Sequence, residues 1–445
     1  MGGTLRIPGR WWLILAVVAG LAALAPAVAS AATPAPAAAR TVDLGPVAAR
    51  GGWAPQVALD PRGRGGVVWL ARSGHLRAAR VAPAGIGELP ASLRPRGALT
   101  ALRAGVGARG APFAVWVRSR GGSQLWTATL GPGGGWDALT RLDAPPGGVG
   151  GLDLSTGPDG LTRIVWTEHA APDGPPVVLT RLREPAGGWG PPALVHRAGA
   201  SAVAIGRPAV LAGADGRAVV AWREQDLVAP ATSRVMGATL GPGDAVGPAE
   251  VLHETAARPW GPVLAGGFPD AVAAWTDVDL AGSGRSLMAT RLVAGEWAPA
   301  GRLASGAVGA PLLSREPSPS PLIAWIEGAS PLRQVLAVAT VDIATGAVRR
   351  VQRSRLSGSG AFALSKPGHE AATAWMGPAG GEPVVHVRVG SAAGARTLPP
   401  PGGGAASAVP FAHVALAAAA PGRVAVAWVA GAADGVPALR AAIRG

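Results

Sequence analysis

Four acids stand two residues beyond a tryptophan, in Trp166-Thr-Glu168, Trp222-Arg-Glu224, Trp275-Thr-Asp277 and Trp325-Ile-Glu327. Two of these runs add a second acid, Asp226 and Asp279. Carboxylates repeated at one structural position suit three kinds of chemistry. Several oxygens that converge hold a hard cation such as Ca2+. A pair about 5–10 Å apart serves glycoside hydrolysis. Otherwise each acid is the charge with which a strand leaves the core for water, paired with an arginine such as Arg72, Arg118 or Arg223.

A second group is aromatic. Trp136, Trp189 and Trp297 fall in glycine-rich hairpins, where an indole either stacks on a sugar ring or packs over a sheet edge. Little else carries chemistry. The seven histidines (75, 169, 196, 253, 369, 386, 413) show no metal-ligand spacing. Glu168-His169 are adjacent, but successive strand residues face opposite ways. There is no nucleophile elbow, and no phosphate loop precedes a lysine. With no cysteine, the chain has no thiol nucleophile, disulfide or cysteine-held zinc. No catalytic residue is assigned, and no cofactor is expected unless Ca2+ occupies the acids.

The elements that must position these residues recur. A short apolar run ends in tryptophan eight times, at Trp69, Trp116, Trp166, Trp222, Trp275, Trp325, Trp375 and Trp428, with spacings of 47, 50, 56, 53, 50, 50 and 53 residues. That is the period of a supersecondary array. In the fourth unit Arg207–Leu211, Arg217–Trp222, Arg234–Leu240 and Gly247–Leu252 are separated by Gly, Pro and Asp turns, which reads as a four-stranded meander. Marker runs such as Val219-Val220-Ala221 are apolar on successive positions, as in strands covered on both faces. Stacking small sheets radially supplies that cover. The expected fold is therefore all-β, a β-propeller of eight four-stranded blades, with seven as the alternative. Tandem immunoglobulin-like sandwiches need about 100 residues per unit, twice this period.

The eighth unit ends after its third strand, Ala438–Ile443. Thr41–Val47 is expected to supply the fourth and close the ring. Residues 1–31 read as a signal peptide, with Arg6 and Arg10 before the apolar run Trp11–Ala25 and cleavage after Ala29 or Ala31. Residues 32–40 are a disordered Ala/Pro-rich segment, and 41–445 form one propeller domain. This predicts a secreted or periplasmic protein with no stable membrane span after cleavage, and a monomer.

The formal charge of +14 invites a nucleic-acid reading, but the arginines are scattered across all units instead of gathering on one face. Lysine occurs once (Lys366), and Asn and Tyr are absent, so the bias follows GC-rich codons. No nucleic-acid partner is expected.

The GGW hairpins and the repeated unit resemble the sialidase-like (BNR-type) propellers and their non-catalytic bacterial relatives. Ser155-Thr-Gly-Pro-Asp159-Gly-Leu-Thr162 approaches the S-x-D-x-G-x-T-W turn of that group, with altered spacing. The resemblance implies an arginine triad and a tyrosine nucleophile, and this chain has no tyrosine. Sialidase-type hydrolysis is thereby excluded. The first functional expectation is an exported, non-enzymatic propeller that binds or scaffolds an extracellular protein or polysaccharide. The alternatives are a glycan hydrolase or lyase using the rim carboxylates, and a cation-dependent adhesin-like module.

Overall fold

The computed structural model describes residues 40–47, 54–95, 97–119, 122–199, 203–228, 232–279, 284–328, 333–356, 361–366, 371–379, 382–390, 396–398, 413–419, 423–431 and 437–444. Residues 1–31, read from sequence as a signal peptide, and residues 32–39 lie outside them. Eight antiparallel sheets follow one another around the chain. Each runs inner strand, marker strand, third strand, outer strand. Blade 3, for instance, is Val149–Thr156, Thr162–His169, Pro176–Arg183 and Ala193–Arg197. Eight blades, not seven, are formed, and the second unit is a regular sheet. In blade 4 the inner strand is broken into Val203–Ile205 and Ala209–Ala212, because Gly206-Arg207-Pro208 interrupts the ladder. Among the described residues helix is confined to two single turns, and no helix is long and apolar enough to cross a membrane.

The ring closes as the register of its ends requires. Arg40–Pro46 pairs antiparallel with Pro437–Arg444, Thr41 opposite Ala442 and Pro46 opposite Ala438. Val47 then bridges to Ala71 of blade 1, and Leu44, Trp69 and Leu439 share one core cluster. One strand thus completes blade 8 and touches blade 1, which removes the open edge that an unpaired last sheet would present.

Why the marker strands read as unbroken apolar runs is clear from the clusters. Alternate residues face the two neighbouring blades. Val165 packs with Trp222 of blade 4, whereas Ile164 and Trp166 pack with Phe113 and Leu125 of blade 2. All eight marker tryptophans are at most 5 % exposed, and each lies against the preceding blade. At roughly 25 cal/mol per Å2 of apolar surface and 150–250 Å2 per aromatic ring, these indoles are the largest single contributors to each seam. The far ends of the seams are tied by buried arginines. Arg163 donates to Asp244 Oδ1 (3.0 Å) and to the Gly216 and Gly243 carbonyls of blade 4. Arg183 lies over the Phe113 ring of blade 2 at 4.1 Å.

Candidate functional site: the carboxyl seams and the axis

A strand that carries its tryptophan into a seam must carry the residue two places on into the same seam, because side chains alternate. The four acids therefore lie on the tryptophan's side, near the ends of four marker strands. Three of them reach back to their own indole. Trp166 Nε1 donates to Glu168 Oε2 at 2.8 Å, Trp222 to Glu224 Oε1 at 3.2 Å and Trp325 to Glu327 Oε1 at 3.1 Å. Asp277 is one methylene shorter, and the Trp275 indole nitrogen finds no partner.

The outer strand of the preceding blade supplies the second group in three of the four seams. His196 of blade 3 stands 2.7 Å from Glu224 with its ring tilted on Trp222. His253 of blade 4 stands 3.0 Å from Asp277, on Trp275. Asp143 of blade 2 occupies the corresponding place against Glu168. Glu327 instead takes Arg353 from its own blade, at 2.9 and 3.1 Å. Of the arginines considered as partners, Arg223 donates to the Pro259 carbonyl and Arg118 to Gln124, stacking over Trp126.

The electrostatics of these seams differ. Burial pushes the Glu168 carboxyl up to about 7, and Asp143 beside it adds to the rise against the opposing Trp166 hydrogen bond. Burial also acts on Glu224, but hydrogen bonds from His196 and Trp222 outweigh it and hold that carboxyl below its usual range. The Arg353 hydrogen bond holds Glu327 low.

The acids do not converge. Each occupies its own seam. Asp226 Oδ1 accepts from the Val228 amide and Asp279 Oδ2 from the Gly284 amide, so both shape loops. Among the described residues no three His, Asp or Glu side chains come together as a metal site. The hairpin tryptophans are half-buried and packed. Trp136 joins the blade 1/2 cluster, Trp189 meets Phe113 edge-on, and Trp297 packs in the blade 4/5 cluster. A cavity of about 140 Å3 lies elsewhere, bounded by Val272, Thr290, Leu303 and Val341 of blades 5 and 6, and includes none of these groups.

A further charged cluster sits midway along the inner strands. Asp153 is 3 % exposed and accepts from Arg103 of blade 2 (3.1 Å), Arg315 of blade 6 (2.9 Å) and the Val210 amide of blade 4 (3.1 Å). Burial raises its pKa, but the two guanidinium groups more than reverse this and leave it low. Arg315 also donates to the Leu154 carbonyl, so a single side chain links blades 3 and 6.

Asp143, His196, His253 and the Asp153 cluster were not expected from sequence. The partners of the rim acids lie half a repeat upstream, on outer strands whose register is shifted by a bulge at the relevant residue. Their signal was a polar residue recurring once per unit in those strands, at Asp143, His196 and His253.

No protein-family model matches the chain, and no curated protein is similar to it. Solved structures are. An ulvan lyase bound to -[GlcA(1-4)Rha3S]- has 10% identity and a TM-score of 0.50, over 81% of this chain and 98% of that one. An α-L-arabinanase of Penicillium chrysogenum has 13% identity and a TM-score of 0.42, over 65% and 92%. A protein of unknown function from Dyadobacter fermentans has 11% identity and a TM-score of 0.37, over 66% and 94%. At such identities the likeness is one of fold.

Proposed function

We propose that this chain is exported and acts on polysaccharide, as a hydrolase or lyase, through the Asp143–Glu168 pair. What supports this reading is a buried carboxyl, Glu168, whose pKa burial raises to about 7, set against a second carboxyl, Asp143, in the same seam. Glu168 is the inner member at 8 % exposure, and Asp143 is half-buried and outermost. Two such groups let one accept a proton while the other delivers one.

Asp143 and Glu168 face one another in a single seam, where one carboxyl can act as base while the other, its pKa raised by burial, acts as acid. Such a pair serves elimination as well as hydrolysis. In elimination the pair takes the proton from the carbon bearing a uronate carboxylate. The carbon–oxygen bond to the leaving sugar breaks as the carbon–carbon double bond forms, and the departing oxygen takes a proton. The fold likeness to an ulvan lyase is consistent with this class, and the sialidase-like resemblance adds only the architecture.

The second reading is the non-enzymatic exported binder of polysaccharide or protein. It is favoured by Glu224, Asp277 and Glu327, each already held by a local partner. One experiment separates the two. Purified chain lacking residues 1–31 is incubated with polyuronates and neutral glycans, and unsaturated ends and reducing ends are measured. Turnover that falls at least 100-fold in both Asp143→Asn and Glu168→Gln supports the catalytic pair. Binding without new ends from any polymer replaces it with the binder.

A further inference from the structure

Among the described residues one indole is treated differently from the rest. Every other described tryptophan is buried or half-buried, whereas Trp260 is 38 % exposed. It lies near the start of the blade 5 inner strand Arg258–Gly267, opposite Thr276, with Pro259 opposite Asp277. It is therefore at the same end of the propeller as the carboxyl seams. The ladder slips between Trp260 and Val263, and Gly261 takes φ +115°, where a side chain would be strained. A bulge of this kind re-aims the residue beside it, and here it leaves an indole in water instead of in a seam.

The surroundings are cationic. The Arg285 guanidinium lies 5.5 Å from the Trp260 ring centre. Arg258, two residues before the indole, and Arg285 both stand opposite Val278. Arg223 donates to the Pro259 carbonyl at 3.0 Å, and its pKa is lowered by burial and then by the Arg258 charge. The acid facing this strand from the next, Asp277, is already taken by His253, and Asp279 caps its own loop.

We infer that Trp260, Arg285 and Arg258 form a subsite for an acidic sugar, a uronate unit of an anionic polysaccharide. The flat indole face suits the apolar face of a pyranose ring, and guanidinium groups pair with carboxylate in a charge-assisted, bidentate geometry. Neutral sugars would gain only the first of these, so the arginines set the preference for acid. The inference deepens the polysaccharide reading above and uses none of the residues of the Asp143–Glu168 seam.

The test is affinity electrophoresis and calorimetry of the chain lacking residues 1–31 with polygalacturonate, and with the same polymer carboxyl-reduced to a neutral form. Wild type should bind the acidic polymer and bind the neutral one at least about tenfold more weakly, a difference of 1.4 kcal/mol. Trp260→Ala should weaken binding to the acidic polymer by about tenfold or more, and Arg285→Gln should erase most of the acid preference. An unchanged melting temperature in Trp260→Ala, expected for an exposed side chain, separates lost binding from lost fold. Equal binding of both polymers by wild type, no binding of the acidic one, or undiminished binding by Trp260→Ala overturns the subsite. Glu168→Gln keeps the failures apart: if it abolishes turnover but retains binding, the subsite and the catalytic pair are independent. Binding without turnover in wild type leaves the subsite standing and removes the pair.

Discussion

Seams 2/3 and 3/4 use the same two backbone positions and reach opposite electrostatic states. In seam 3/4 the outer strand of blade 3 presents His196 to Glu224, and the imidazole holds the carboxyl low. In seam 2/3 the outer strand of blade 2 presents Asp143 to Glu168, and the carboxyl is driven up to about 7. The indole, the burial and the Trp-to-Glu hydrogen bond are common to both. Burial raises both carboxyls; in seam 3/4 the hydrogen bonds from His196 and Trp222 outweigh it, whereas in seam 2/3 Asp143 adds to it. In seam 3/4 the carboxyl is held low by its hydrogen bonds, whereas in seam 2/3 it is raised to about 7. Seams on the other side of the ring carry neither, since the position two beyond the tryptophan is Gly377 in blade 7 and Ala71 in blade 1.

If the indole is the shared foundation of both seams, removing it should dominate every other change. Trp222→Ala takes a side chain with no exposed surface out of the blade 3/4 cluster. It also leaves Glu224 without its indole donor. A loss of about 3–5 kcal/mol is expected, measured as a fall in the urea midpoint at constant slope. A loss under about 1 kcal/mol would mean that the blades do not depend on one another through these tryptophans.

Next in size is an exchange that turns one seam into the other. Asp143→His should give Glu168 the environment of Glu224 and bring its pKa from about 7 to below 4.5. The sign of the pH dependence then reverses. In wild type the folded Glu168 has the raised pKa, so its contribution to stability is complete below about pH 4.5 and is lost as pH rises through about 7. In Asp143→His the contribution is present above about pH 4.5 and is lost as acid protonates the folded carboxylate. The two proteins should diverge by on the order of 2–3 kcal/mol between pH 5 and pH 8, with wild type the one that weakens toward pH 8. Any polysaccharide turnover should vanish with the raised pKa. Parallel pH profiles would show that Asp143 does not control its neighbour.

These contrasts also mark how far the sequence could be read. The eight tryptophan runs were legible because a strand covered on both faces leaves no polar residue in its middle, as in Val219-Val220-Ala221. The closing strand was legible because Thr41–Val47 reads as the fourth strand of a unit, and Arg40–Pro46 pairs with Pro437–Arg444. The rim acids were visible too, but not what they meet. A meander places the outer strand of one blade against the marker strand of the next, and the bulges near Asp143, His196 and His253 disguise the alternation that would reveal which side chains enter the seam. Asp153 and Arg315 were further from reach. Their contact spans three blades, and no periodic pattern within a repeat encodes it. Trp260 was hidden for the opposite reason, since an indole among so many indoles gives no sign of being the exposed one.

The smallest effect tests the comparison most finely, because it concerns a single methylene. Seam 4/5 repeats seam 3/4 with His253 stacked on Trp275, but Asp277 replaces the glutamate. Its carboxyl reaches the imidazole at 3.0 Å and not the indole, leaving both the Trp275 Nε1 and the Asp277 Oδ1 buried and unpaired. Glu224 shows that one longer side chain serves both donors, with Oε1 at 2.7 Å from His196 and 3.2 Å from Trp222. Asp277→Glu should therefore give the Trp275 indole nitrogen its acceptor and raise stability by about 0.5–1.5 kcal/mol. The mirror change, Glu224→Asp, should cost a similar amount by recreating the orphan in seam 3/4. Thermal unfolding of the two variants side by side measures both. A gain in one and a matching loss in the other would mean the seams are the same device at two lengths. A loss in both would mean that seam 4/5 is too narrow for the extra carbon, and that its aspartate is set by space and not by chemistry.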